Sequence, residues 1–215
     1  MRPVAGRVLP DHLAKKRALD VGTFDGFWAF EMERRGADVV AIDVDVIDAA
    51  EWPPLSRERL ERNSDALGIE LGRGFTIASR SLDSSVRRVI CNVYDLTPEA
   101  IGGPVEFAFS GTIMLHLRDP VRALERIRDV LAPLGELRII EPFSWRTTLS
   151  SPRRAAADFR AADSDFNWWV PNLAALNAWL RAAGFVDVRR LAVLRPPSEA
   201  RMRQPYAALS ARAPG

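Results

Sequence analysis

The sequence has one cysteine, two histidines and only two lysines, Lys15 and Lys16. The single cysteine, Cys91, excludes an internal disulfide, and no cysteine and histidine cluster has the spacing of a metal site. Cys91 lies in an apolar run, so we expect a buried structural thiol. No apolar run approaches the roughly 20 residues of a membrane span, and the N-terminus lacks a signal-peptide core. We therefore expect a cytoplasmic protein with no membrane partner.

Charge of one sign is not concentrated anywhere in the chain. The net charge is +2, and arginines alternate with acids along the predicted helices. This distribution is typical of solvated faces and argues against nucleic acid as a partner. With 215 residues and 47% hydrophobic residues, the chain has the size and composition of one domain with a substantial core, which we expect over residues 1–215.

The strongest local pattern is a strand, a glycine-containing turn and a helix over residues 17–35, which include the sequence ALDVGTFDGFWAF. Leu19 and Val21 suit a buried strand, while Gly22 and Gly26 permit a tight turn that brings the backbone close to a ligand. A second strand over 38–43 completes a predicted parallel βαβ unit. The glycines could also serve the turn alone.

Further helices and strands alternate along the rest of the chain. We expect helices at about 57–67, 75–85 and 120–131, and a further helix that Asn172 caps and Gly184 closes. We expect strands at 86–92, 105–110, 136–141, 185–194 and about 205–212. The last two strands have no helix between them, which favours antiparallel pairing. The predicted fold is an α/β, Rossmann-like, doubly wound seven-stranded sheet, mostly parallel with an antiparallel C-terminal strand pair. Residues 1–17 are predicted to be a lead-in, and the loose, aromatic-punctuated residues 142–171 a cap or lid insertion.

In a doubly wound sheet, ligands bind outside the carboxyl ends of the strands. The residues predicted there are 20–26, 43–44, 92–94, 110–111 and Glu141. Phe24 stands where a dinucleotide fingerprint has its middle glycine, and there is no P-loop lysine. This pattern favours a ligand that has an adenosine but no phosphates.

These residues make the chain, over roughly 17–195, resemble the class I S-adenosylmethionine-dependent methyltransferases. The resemblance implies S-adenosylmethionine as cofactor. It implies that the first motif holds the amino acid end of the cofactor, that Asp43 holds the ribose, that 92–94 frame the adenine and that 110–111 line the methionine side. The cofactor-binding residues it implies are Asp20, Gly22, Thr23, Phe24, Gly26, Asp43, Val44, Asn92, Val93, Tyr94, Ser110 and Gly111.

Three segments are similar to one branch of that family: NVYDL at 92–96, HLRDP at 116–120 and NWWVPN at 167–172. The branch contains tRNA wobble-uridine methyltransferases and their secondary-metabolite relatives. The tRNA enzymes carry a long N-terminal extension and a basic surface, which we do not find in this sequence. We therefore expect methyl transfer to a small molecule in secondary metabolism. The alternatives are a tRNA-modifying enzyme and a non-methylating protein that keeps the cofactor as a scaffold, which the departure at Phe24 keeps open.

Candidate catalytic and substrate residues follow from the same arrangement. An acceptor hydroxyl or acidic carbon needs a base, for which His116 is the first candidate and Glu141 the second. Their structural alternatives are a hydrogen-bonding histidine behind the loop and a carboxylate that binds a backbone amide. The predicted substrate contacts, with lid core as the alternative, are Trp145, Trp168 and Trp169. We expect Phe24 to tilt or narrow the cofactor cleft. The arginine-rich and aromatic lid surface could mediate a homodimer.

Overall fold

The computed structural model describes residues 2–54, 56–57, 59, 61–62, 70–162, 166–195 and 204–215. The described residues include the helices α1 Arg2–Val8, α2 Phe27–Arg34, α3 Arg73–Leu82, α4 Pro98–Ile101, α5 Pro120–Asp129, α6 Trp145–Ser150 and α7 Leu173–Ala182. The strands are β1 Arg17–Val21, β2 Asp38–Asp43, β3 Arg87–Ile90, β4 Val105–Gly111, β5 Leu131–Pro142, β6 Ala157–Phe159, β7 Trp169–Pro171, β8 Val186–Leu194 and β9 Tyr206–Arg212.

The main sheet has the strand order β3-β2-β1-β4-β5-β9-β8. The first five strands of this order are parallel, and β9 is antiparallel to both β5 and β8. The chain leaves β1 towards β2 and β3 on one side and returns to β4 on the other. The predicted doubly wound sheet with an antiparallel C-terminal pair is therefore confirmed.

Two apolar layers cover the two faces of the sheet. On one face, Leu19 and Ile42 belong to a core cluster that includes Leu124 of α5 and Leu180 of α7. On the other face, the buried side chains of Phe107 and Phe109 cluster with residues of the first three helices, among them Val8, Met32 and Phe75. Burial on both faces explains why the central strands read as continuous hydrophobic runs rather than alternating ones.

Capping side chains fix where several helices begin. Asp119 accepts a hydrogen bond from Arg122 N at the start of α5, and Pro120 follows at the first helical position. Thr97 does the same for α4 by accepting from Ala100 N. Strand β5 starts at residue 131, five residues before its predicted start at 136, since the chain pairs with Val105 directly after α5. Most of the helix predicted over 57–67 lies outside the described residues.

Asn172 caps α7 and also connects the preceding segment to it. It is fully buried, and its Oδ1 accepts hydrogen bonds from Ala175 N and Ala156 N. Its Nδ2 donates to the carbonyl oxygens of Ser151 and Arg154. All four hydrogen-bonding positions of the amide are therefore used within the protein.

Residues 142–162 and 166–171 contain α6 and a two-stranded antiparallel hairpin of β6 and β7. At the other end of the chain, Ala5 and Val8 of α1 are buried against the sheet. The division into a lead-in, one domain and a lid insertion stays a prediction. Within the described part of the chain, no helix is both long enough and apolar enough to span a bilayer.

The two caps predict unequal stability losses. Asp119 is an exposed cap that accepts one bond, whereas Asn172 is buried and makes four. We expect Asp119→Ala to lower the free energy of unfolding by about 1 kcal/mol and Asn172→Ala by about 3 kcal/mol, since the second change leaves buried backbone groups unpaired. Urea unfolding followed by circular dichroism measures both losses, and equal losses would contradict the assignment.

Candidate active site

A cleft opens at the carboxyl ends of β1, β2 and β3, beside the point where the chain reverses between β1 and β4. Its cavity volume is about 110 Å³, and we call it the central cleft. Of the cofactor-binding residues predicted from the sequence, those that line it are Gly22, Asp43, Val44, Asn92 and Val93. The candidate base His116 lies on the same wall.

The turn after β1 has the backbone that its glycines predict. Gly22 has φ +72° and Gly26 has φ +88°, both in the left-handed region. A Cβ at Gly22 would collide with the side chain of Ile113, so the chain approaches closely there. Gly26 is the N-cap of α2, and its amide donates to the carbonyl oxygen of Thr23 at 2.8 Å.

Asp20 and Thr23 lie beneath this turn rather than in the cleft. Both are buried, and Asp20 Oδ2 accepts a hydrogen bond of 3.1 Å from Ala29 N in the first turn of α2. Burial raises the pKa of Asp20 to about 7. Asp20 therefore anchors α2 to β1, and its effect on a ligand would pass through the turn that it supports.

Phe24 does not narrow the cleft. Its φ of +48° lies in the left-handed region, which is costly for a residue with a side chain. The ring is 68% exposed and is not among the lining residues of the central cleft. The backbone of this residue thus takes the conformation expected of a glycine, while its side chain points into solvent.

Asp43 is held by the two loops that meet at the cleft. Its Oδ2 accepts from Phe24 N at 2.7 Å and its Oδ1 accepts from Val44 N at 2.8 Å. Burial raises the pKa of Asp43, against the opposing effects of these two amides and of Arg88. Each carboxylate oxygen keeps a second lone pair, and the group is half-buried at the cleft wall. These two acceptor oxygens fit the two hydroxyl donors of a ribose.

The segment after β3 contributes two residues to the cleft. Asn92 lies on the wall, where its Nδ2 donates to Ala49 O at 2.7 Å and its Oδ1 accepts from Tyr94 N at 3.0 Å. Val93 presents an apolar surface beside it. Tyr94 is buried away from the cleft, and its hydroxyl accepts from Asp119 N at 2.9 Å. Tyr94 therefore braces the start of α5 and lies outside the predicted adenine surface.

The end of β4 leads into a turn that a buried carboxylate supports. Ser110 is fully buried and Gly111 is partly exposed beside Trp28, and neither lines the central cleft. Glu141 Oε1 accepts from Ile113 N at 2.9 Å and from Met114 N at 3.0 Å. Burial raises the pKa of Glu141 to about 8. Glu141 thus binds backbone amides beneath the turn that carries His116, which matches its structural alternative.

The ring of His116 lines the cleft and is held by a hydrogen bond at Nδ1. Its Nδ1 lies 2.7 Å from Phe166 O. Since a carbonyl oxygen can only accept, we assign the proton to Nδ1 and the free lone pair to Nε2. Burial lowers the pKa of His116 below 6.5, so the ring is neutral at pH 7. A neutral imidazole with a free Nε2 is competent as a base.

The predicted substrate tryptophans have three different environments. Trp168 is buried and connects two loops, since its backbone N donates to Leu115 O at 2.8 Å and its Nε1 to Glu51 O at 2.5 Å. The Nε1 of Trp169 donates to Arg118 O at 3.1 Å. Trp145 is 52% exposed at the start of α6 and lines neither cavity described here.

A second cavity of about 340 Å³, which we call the adjoining cavity, shares the lining residues Glu51 and Trp52 with the central cleft. Trp168 also lines it. Neither Glu51 nor Trp52 was among the site residues predicted from the sequence. Cys91, expected to be buried, is half-buried on the wall of the central cleft.

The geometry can now be compared with known proteins. A family model described as a methyltransferase domain matches residues 2–190. The chain belongs to the class I S-adenosylmethionine-dependent methyltransferases. The family expected from the sequence is thereby confirmed.

Curated relatives are similar over most of this chain. The tRNA U34 carboxymethyltransferase of Stutzerimonas stutzeri strain A1501 is 31% identical over 188 residues, which are 85% of this chain and 49% of the relative. The protein of the same name from Geobacter sp. strain M21 is 27% identical over 188 residues, again 85% of this chain and 49% of the relative. This methyltransferase chain therefore spans about half the length of these relatives.

Solved structures share the fold of this methyltransferase. The Burkholderia thailandensis 1,6-didemethyltoxoflavin-N1-methyltransferase, solved with bound 1,6-didemethyltoxoflavin and S-adenosylhomocysteine, has a TM-score of 0.61 at 22% identity, covering 94% of this chain and 72% of that one. The cyclase SpnF has a TM-score of 0.62 at 18% identity, covering 99% and 80%. At these identities the likeness concerns the fold alone.

Glu141 predicts a pH-dependent stability difference. Its pKa is about 8 in the folded protein against an ordinary 4.5, so its contribution is fully present below the ordinary pKa and is lost as pH rises towards 8. A glutamine side chain stays neutral and can still accept hydrogen bonds from the two backbone amides. We expect the stability of the wild type relative to Glu141→Gln to fall by on the order of 2 kcal/mol between about pH 5 and about pH 8. Chemical unfolding across this pH range measures the difference.

Glu33→Gln is a control of opposite sign for this measurement. Partial burial acts to raise the pKa of Glu33, but hydrogen bonds from Ser84 and Ser85 outweigh it and lower the pKa. Its contribution is therefore present above its ordinary pKa and is lost as pH falls. A wild-type advantage over Glu141→Gln that does not change with pH would contradict the assignment.

Proposed function

We propose that the protein transfers the methyl group of S-adenosylmethionine to a small-molecule acceptor placed beside His116. The observation that carries this proposal is the position of the His116 ring, oriented by Phe166 O, on the wall of a cleft whose lining residues suit an adenosine. The proposal includes the small-molecule nature of the acceptor and a role in secondary metabolism.

Four residues that line the cleft fit S-adenosylmethionine. Asp43 would hold the ribose hydroxyls, while Asn92 and Val93 would lie along the adenine. The backbone at Gly22 would take the methionine end close to the turn. S-adenosylmethionine supplies a methyl group that its sulfonium already activates, so the protein chiefly has to align the acceptor and exclude water.

His116 can accept the proton that an acceptor hydroxyl, N–H or acidic C–H must lose. Held in the central cleft by Asp43, Asn92 and Val93, S-adenosylmethionine would supply an activated methyl group, and the acceptor would supply the electron pair for the new bond. The acceptor proton passes to His116 Nε2, which is unprotonated at pH 7. Glu141 contributes indirectly, because it holds the turn from which His116 projects.

Transfer to tRNA is the second candidate. The relatives are named tRNA U34 carboxymethyltransferases, so the comparisons do not support our expectation that nucleic acid is not a partner. The chain spans about half the length of those proteins. Incubation with unmodified tRNA and a radiolabelled methyl donor distinguishes the two acceptor classes.

A scaffold role without methyl transfer is the third reading. The [4+2]-cyclase SpnF shares the fold, which illustrates that this architecture does not fix the chemistry. A base positioned at the cleft favours an enzyme. The cytoplasmic location and the homodimer that we expect stay predictions.

Asp43 predicts the affinity for the cofactor product. Asp43→Asn removes a charged acceptor for the ribose hydroxyls, and we expect the Kd of S-adenosylhomocysteine to rise about tenfold or more. Isothermal calorimetry measures it, and the melting temperature checks that the two amide bonds to Asp43 are not the cause. Asp45→Asn, at an exposed neighbouring position, is the matched control. Equal affinities in the two variants would contradict the role.

His116 predicts the pH profile of methyl transfer. With an acceptor found by radiolabelled transfer, kcat/KM should fall on the acid side with an apparent pKa below 6.5, because protonation removes the base. We expect His116→Gln to lower kcat about 100-fold and to abolish that acid limb. His12→Gln, at an exposed histidine, should change neither. An unchanged acid limb in His116→Gln would exclude the role.

A further inference from the structure

The adjoining cavity lies directly beside the central cleft, because Glu51 and Trp52 form part of the wall of both. Trp52 also packs edge-on against the ring of His116, with ring centres 5.6 Å apart. A molecule in the adjoining cavity would therefore lie next to the candidate base and to whatever occupies the central cleft.

Arg118 is the residue of this cavity that points to a charged ligand. Its guanidinium carbon lies 5.6 Å from the centre of the Trp168 ring, and its carbonyl oxygen is bound by Trp169 Nε1. A guanidinium held over a ring keeps its N–H edge available for a planar anion. Within the part of the chain that the structure describes, no carboxylate forms an ion pair with Arg118.

The other charges of the cavity are more nearly balanced. Arg57 donates to Ala50 O at 3.3 Å and lies 3.9 Å from Asp48. Glu51 and Glu61 add two carboxylates to the same lining. Carboxylates on the wall repel a run of phosphates more strongly than they repel a single anionic group. This balance suits a small molecule better than an extended polyanion.

We propose that the adjoining cavity binds the methyl acceptor, and that this acceptor is a small molecule whose carboxylate or phosphate group is held by Arg118. The inference rests on the proposed function, since it takes the central cleft as the cofactor site. Arg118 follows His116 by two residues in the same loop. An acceptor anchored at Arg118 is thus fixed at one end, with its other end free to lie near His116.

Binding of simple anions to the protein saturated with S-adenosylhomocysteine tests this. The probes are benzoate and phenyl phosphate, with neutral benzamide as the uncharged comparison. We expect each anion to bind at least about tenfold more tightly than benzamide, because a hydrogen-bonded charge pair is gained. Fluorine NMR of protein labelled with 5-fluorotryptophan follows binding, and Trp168→Phe identifies the Trp168 signal.

Matched variants locate the effect. Arg118→Gln should lose the preference for both anions, and Arg118→Lys should keep part of it, since lysine retains the charge but not the planar fork. Arg122→Gln is the control, because Arg122 lies 5.2 Å from the Tyr94 ring in a similar contact but does not line the adjoining cavity. Calorimetry with S-adenosylhomocysteine should give the same affinity for all four proteins.

The outcomes separate this inference from the proposed function. Failure of the wild type to bind S-adenosylhomocysteine overturns the proposed function. Normal cofactor binding with no preference for anions, or a preference that Arg118→Gln and Arg118→Lys both retain in full, overturns the inference alone. Displacement of phenyl phosphate from the Trp168 site by a tRNA anticodon stem-loop at lower concentration than by benzoate overturns the small-molecule assignment.

Discussion

The position of β1 between β2 and β4 is the constraint on which the site depends. Asp20 is level with Ala41 on one side and with Phe109 on the other. This register brings the turn after β1 against the end of β2, where the amide of Phe24 meets the carboxylate of Asp43. A shift of one strand by one residue would reverse its side chains and separate these groups. The cleft therefore depends on the pairing of the strands more than on any single side chain.

A second set of contacts closes the side of the cleft that the sheet leaves open. The segment 166–169 is bound to the turn after β4 through Leu115 O and His116, and to the loop after β2 through Glu51 O. These loops are far apart in the chain, and they are joined here by an aromatic segment. The same contacts set the tautomer of His116 and the position of the Trp168 ring under Arg118. The base and the proposed anion site therefore share one support.

Sequence reasoning was accurate where local pattern determines structure. The bounds of β1 and β2 agree with it, since hydrophobic runs and glycines mark them. It also placed Asp43 and Asn92 at the cleft, because the ends of parallel strands meet at one edge. It could not give the direction of Tyr94, which is determined by a hydrogen bond from Asp119 N, a residue of another element. Sequence reasoning did not identify Glu51 and Trp52, because an irregular loop has no periodicity that fixes which side chains face inwards.

The exposed ring of Phe24 shows what the middle position of the first turn requires. The requirement is a left-handed backbone and a free amide for Asp43, and the side chain is directed away from the cleft. The position is accessible to solvent, and its own backbone amide binds Asp43, the proposed ribose contact. A cysteine placed there and coupled to an environment-sensitive dye would sit at the rim of the cleft, where it could report occupancy without entering it.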